Sequence, residues 1–149
     1  MPQLRGYKPL RIIAADQDDL KTMSSYVQDA IFKVGDMAWL SAQRRFAFVA
    51  NRYVWEAKGA QARVRSGLHF DDVISVQHKN IRLDAQEAVV SLMAIQYSAG
   101  EGDEGHPEVT LSFSGGGTIR LVVEAVNVEL SDISDPWQTR SRPDHDTAS

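Results

Sequence analysis

The chain has no cysteine. That absence excludes disulfide scaffolds, thiolate metal centres and cysteine nucleophiles together. It also has no apolar run long enough to span a bilayer. The opening residues, MPQLRGYKPLRIIAA, carry only a short apolar patch and no small-residue cleavage signal, so a cytoplasmic protein is expected. No HExxH or GxSxG string occurs. Glycine is concentrated in the acidic loop SAGEGDEGHP, residues 98–107, and in FSGGG, where Gly115, Gly116 and Gly117 precede an apolar alternation. That string reads as a hairpin turn, because a phosphate cradle needs a helix N-terminus. Ser114 is then a turn residue and not a nucleophile. The histidines, His69, His78, His106 and His145, form no short ligand pair, so neither a metal nor a cofactor is expected.

What is present points to one β-rich domain. A chain of 149 residues has room for a single proper core. Hydrophobic residues at 43% and charged residues at 24% argue against disorder. A net charge of −4 disfavours nonspecific attraction to nucleic acid or to an anionic membrane. The charges are unevenly spread. Arg44, Arg45, Arg52, Lys58, Arg63 and Arg65 face one nearby acid, Glu56, whereas acids gather at residues 16–19, 101–108 and 124–135.

The run Arg44–Trp55, RRFAFVANRYVW, is too apolar for a surface strand and reads as a central strand covered on both faces. AVVSLMAIQY, residues 88–97, reads the same way. Asp16 looks like a helix N-cap, and Leu20, Met23 and Val27 recur at helical spacing, which predicts one helix over residues 18–28. Gly35-Asp36 marks a kink between two extended pieces. Val64, Ser66, Leu68 and Phe70 point one way along a strand, and residues 109–113 and 119–123 alternate on either side of the glycine turn. A phase shift near Glu124-Ala125 requires a bulge or a corner before a strand at Val126–Leu130. The domain is expected to span residues 1–135, with a polar tail over 136–149 that is mobile from Thr139 onward.

The strings Val34-Gly35-Asp36 with Trp39-Leu40, Arg44-Arg45-Phe46 with Asn51-Arg52 and Trp55-Glu56, Arg63-Val64-Arg65-Ser66, Ile119-Arg120-Leu121, and Pro136-Trp137 with Arg142-Pro143 and His145 carry a resemblance. Together they resemble a family of small alphaproteobacterial proteins catalogued as a domain of unknown function. The resemblance spans nearly the whole chain. It implies a shared fold and a routine cytoplasmic role, since members tend to be encoded among housekeeping genes near histidine biosynthesis. It transfers no activity, substrate or catalytic residue.

The expected fold is α+β, with about seven or eight mainly antiparallel strands and one N-terminal helix. A barrel or two-layer sandwich is expected, with a pleckstrin-homology-like barrel as the analogue; a single open sheet covered by one helix is the alternative. Arginine and tryptophan are the residues that dominate recognition surfaces. Arg45, Arg52, Trp55, Arg65 and Trp137 are therefore the expected binding residues, with Trp39 and Tyr53 in the same aromatic set. The competing structural reading has the tryptophans closing the ends of the core and the arginines pairing with acids. The function expected is a non-catalytic binding or accessory module for a protein partner or a small anionic ligand. The alternative is an enzyme with a dispersed site built on His69, Asp71 and Asp72. Homodimerisation through an uncovered edge strand near Val126–Leu130 is a further expectation.

Overall fold

The structure, a computed structural model, describes residues 7–59, 61–100 and 105–139. The acidic residues 101–104 and most of the expected tail, from residue 140, lie outside them.

The helix α1 (Gln17–Val27) starts one residue before its predicted position. The carboxylate of Asp16 accepts the Asp19 N–H at 2.8 Å, and that of Asp19 accepts the Ala15 N–H at 3.0 Å. This reciprocal cap satisfies two otherwise orphaned donors and is worth about 1 kcal/mol. Leu20, Met23 and Val27 are buried, as the spacing requires.

The strands are β1 (Arg11–Ala14), β2 (Ile31–Lys33), β3 (Met37–Leu40), β4 (Arg45–Tyr53), β5 (Ala62–Phe70), β6 (Val73–Lys79), β7 (Val89–Ser98), β8 (Glu108–Phe113), β9 (Thr118–Val123), β10 (Val128–Asp132) and β11 (Trp137–Gln138). They form one antiparallel sheet in the order β1-β10-β5-β4-β2-β7-β8-β9-β6, with β3 added to β4 and β11 added to β5. The sheet is open. The expected barrel or sandwich is therefore corrected to the alternative, and about seven or eight strands become eleven among the described residues. The surplus comes from pieces such as β2 and β11, of three and two residues, too short to set up a readable alternation. The chain also stays in the sheet past residue 135, because β11 pairs with β5.

Three further expectations are corrected. β10 lies between β1 and β5, so Val126–Leu130 is no edge; β1 and β6 end the sheet. β4 alternates instead of being dry on both sides. Phe46, Phe48 and Ala50 are buried, while Ala47 and Val49 are only half-buried on the opposite face. β7 buries only Leu92 and Ile95, and exposes Val89 and Met93. A register shift between Leu92 and Ala94 interrupts its alternation, and Ser24 of α1 accepts the Ile95 N–H at 2.9 Å beside that bulge.

Other readings hold. Gly115 and Gly116, at φ 87° and 92°, make the hairpin between β8 and β9. The Gly35-Asp36 kink is a 3-10 turn over Val34–Asp36 that separates β2 from β3. The phase shift after Glu124 is a corner, from β9 at one end of the sheet to β10 at the other. Among the described residues, no helix is long and apolar enough to cross a membrane.

The two halves of the sheet meet through phenylalanine. All five phenylalanines are buried in one cluster. Phe32 of β2 stacks on Phe48 of β4 at 4.7 Å and meets Phe113 of β8 edge-on at 5.7 Å. Phe48 in turn lies 6.4 Å from Phe70 of β5. Such pairs add to the stabilisation from buried area. Phe48 stands at the centre of this chain. Phe48→Ala is expected to cost about 3–5 kcal/mol, read as a lower urea midpoint at constant slope. A loss below about 1 kcal/mol would contradict its central placement.

Candidate functional site

The strand alternation that buries Phe46, Phe48 and Ala50 also carries Arg52 inward, and its side chain is 0% exposed. Its Nε and Nη2 donate to the two oxygens of Asp132 at 2.8 Å each. Its Nη1 and Nη2 donate to Glu56 at 3.0 and 2.8 Å. Asp132 also accepts the Ser66 hydroxyl at 2.7 Å, the Leu10 N–H at 2.9 Å and the Tyr7 hydroxyl at 3.3 Å. Burial opposes the charge of Asp132, but the hydrogen bonds from Arg52, Leu10 and Ser66 outweigh it and hold its carboxyl below the usual range. Burial and the neighbouring carboxylate push the Tyr7 hydroxyl up to about 12. Arg52 is therefore corrected from a surface binding residue to an internal clasp.

The other expected binding residues face outward but do not converge. Arg45 pairs with Asp71, Nε to Oδ1 at 2.6 Å. Trp55 is half-buried at the opposite end of β4, where its Nε1 donates to the Gln28 carbonyl at 3.0 Å and its ring meets Tyr53 edge-on at 4.7 Å. Trp137 is partly exposed on β11, opposite Arg63. Arg63 donates to the Asn51 carbonyl at 2.9 Å and lies over the Tyr53 ring. Burial lowers its pKa. Arg65 is exposed two residues further along β5. Arg45 thus stands a strand's length from Trp55, and the five residues make no single patch.

The alternative catalytic residues are tied to each other. His69 Nδ1 lies 3.1 Å from Asp71, and its Nε2 lies 3.4 Å from Glu129. Glu129 also pairs with Arg11 at 3.5 Å. Arg45, Asp71, His69, Glu129 and Arg11 thus form a ladder of polar side chains across β4, β5, β10 and β1. Burial raises the Asp71 carboxyl, but Arg45 and His69 together hold it below its ordinary value. Asp72 sits apart, at φ 59° in the turn into β6, and accepts from the Asn127 amide at 3.2 Å. Among the described residues, no three His, Asp or Glu side chains are grouped to hold a metal ion.

A different place breaches the core. The Val73 N–H donates to the Arg44 carbonyl at 3.0 Å, which ties the start of β6 to the turn between β3 and β4. Beyond that tie, β3 and β6 are not paired with each other. They flank a cleft of about 300 Å³. Phe46, Val76 and Ile119 line it together with Met37, Trp39 and Leu83, and His78 and Gln86 supply the polar side chains. Residues 81–88 bound it on a third side. There the Gly35 N–H donates to the Gln86 carbonyl at 2.9 Å, and a Cβ at Gly35 would sit 3.0 Å from that same oxygen. Trp39 and Leu83 remain 38% and 42% exposed. Sequence reasoning placed Trp39 in an aromatic set but did not single out His78, Leu83 or Gln86. A wider groove of about 820 Å³ between α1 and β7 is lined mainly by polar side chains, including Gln17, Lys21 and Gln28.

The comparisons with known proteins agree with the resemblance at family level. Residues 10–145 match the family described as a protein of unknown function, DUF2948, and the chain belongs to that family. No curated protein and no solved structure matches it.

The Arg52 clasp generates a prediction with a definite sign. The Asp132 carboxyl is depressed in the folded chain, so its contribution is complete above the unfolded value of about 4 and is lost as pH falls toward the folded value. Urea unfolding from about pH 6 to about pH 2 should show wild type losing stability across that acid window, with Asp132→Asn less stable at neutral pH and less pH-dependent. Equal acid slopes in the two proteins would refute the clasp. Arg52→Met, which leaves two carboxylates without their cation, is expected to cost about 3–5 kcal/mol at neutral pH.

Proposed function

We propose that this protein is a non-catalytic binding module and that the cleft between β3 and β6 is its ligand-holding surface. One observation carries the reading: an apolar hollow opens over the buried Phe46 and Ile119, with Trp39 and Leu83 left partly exposed at its rim. Ligand sites are concave, mostly apolar and marked by a few polar groups, and His78 and Gln86 fill that role here. A volume of about 300 Å³ suits one aromatic or branched aliphatic group.

The charged clusters support this reading from the other side. Arg52 is consumed by Asp132 and Glu56, and Arg45 by Asp71. An anionic ligand held jointly by Arg45, Arg52 and Arg65 would have to break those pairs and pull Arg52 from the interior. In the ladder through His69 and Asp71, the Asp71 carboxylate is likewise taken up by Arg45.

Indole is the simplest probe. Titrated into the isotopically labelled protein, it should shift the resonances of Trp39, Leu83 and Ile119 with a Kd of about 1 mM, as befits a ligand of its size. Leu83→Asp, at an exposed position, should weaken that binding about tenfold while leaving the unfolding midpoint nearly unchanged. Shifts confined to other surfaces, or none at all, would refute the cleft as the binding site.

A further inference from the structure

We infer that the occupant of this cleft is an extended segment of a partner protein, which adds its backbone to the free edge of β6 and drops one bulky apolar side chain onto Phe46 and Ile119. The inference rests on the proposed binding role and names the class of ligand.

The edges argue for a strand. β6 bonds through one side only, to β9, and β3 bonds through one side only, to β4. Apart from the tie between Val73 and Arg44, the other edge of each strand has no backbone hydrogen-bond partner along the cleft among the described residues. Unpaired strand N–H and C=O groups are a template for another extended chain. Two such edges border one apolar hollow here, so a single segment could satisfy backbone groups and fill the hollow at once.

The local geometry limits where pairing occurs. The register shift between Val73 and Ser75 spoils the corner end of β6, whereas Ser75 to Lys79 run in regular register with β9. At the far end Asn80, at φ 58°, turns the chain out of the strand. The usable edge is therefore short, about four or five residues, which suits one anchor side chain flanked by pairing backbone. Val76 and His78 stand opposite Leu121 and Ile119 in the register, and Val76, His78 and Ile119 line the hollow, with His78 at its exposed side.

Charge adds a preference. Lys79 ends this edge and has no ion-pair partner among the described residues, whereas Lys33, Arg44 and Arg82 are paired with Glu87, Glu124 and Asp84. A segment carrying an acidic residue at that end matches the free cation.

The test is selection of blocked short peptides from a random library on the full chain, followed by N-methylation of each backbone amide in turn. Selected peptides are expected to alternate β-favouring residues around one bulky apolar residue, to carry an acid, and to be displaced by indole. N-methylation at alternate positions should weaken binding about tenfold, and Leu83→Asp should do so for every peptide. Peptides that tolerate N-methylation throughout, or a selection yielding no peptide that competes with indole, would overturn the strand inference. If indole still binds the cleft in that case, the binding role stands without the strand; if indole fails as well, both fall.

Discussion

The inward placement of Arg52 is the constraint on which the rest of this structure depends. β4 puts Phe46, Phe48, Ala50 and Arg52 on one face, so the strand that supplies the aromatic centre of the core also buries a cation. A slip of one residue against β5 would move that whole set to the outside. Apolar side chains alone penalise such a slip through lost area. Arg52 adds a sharper penalty, because a slipped guanidinium leaves Asp132 buried without its partner. The clasp also gathers segments far apart in sequence: β4, the turn at Glu56, Ser66 of β5, the end of β10, and the approach to β1 through Tyr7 and Leu10. Buried ion pairs contribute little net stability compared with apolar replacements of the same shape. What this one adds is definition, since its hydrogen bonds are met only in one register.

From that register the openness of the sheet follows. β4 can pair with β2 and β3 on one side only as far as the chain between them allows, and the 3-10 turn at Val34–Asp36 bends that chain. β2 continues onto β7, while β3 stays with β4 and leaves β7 behind. The sheet therefore curls around the phenylalanine cluster but stops short of closure, with β3 and β6 divided by a hollow. Gly35 makes the arrangement possible, because the backbone at Gln86 passes too close for a side chain there.

Much of this was legible in the residues. The Asp16 cap and the spacing of Leu20, Met23 and Val27 identify α1, because both signals are local. Gly115 and Gly116 identify the hairpin for the same reason. The inward phase of β5, through Val64, Ser66, Leu68 and Phe70, is plain alternation. Arg52 was misread although its parity was visible: it lies two residues beyond Ala50, in phase with Phe46 and Phe48. What the local sequence cannot display is the acid that neutralises it, since Asp132 lies 80 positions away. Without that acid, a basic stretch reads as surface. The burial of Ala47 and Val49 was overestimated because an apolar residue on a half-covered face looks the same in sequence as one in a dry interior. β10 reads as an edge in sequence because an edge is a property of the whole sheet order, and β1 covers it from the opposite end of the chain.

The cleft was hidden for a related reason, and its position on β4 is informative. Phe46 and Arg52 occupy the two ends of one inward row. At the Arg52 end, donors and carboxylates are matched nearly one for one, and a matched polar network has nothing left to offer a visitor. At the Phe46 end, apolar surface meets solvent and two strand edges lack partners. A folded chain gains free energy from a partner only where its own contacts are incomplete. The same strand therefore joins an end where Arg52 and its carboxylates satisfy one another to an end with unpaired strand edges, and the proposed recognition site lies at the second.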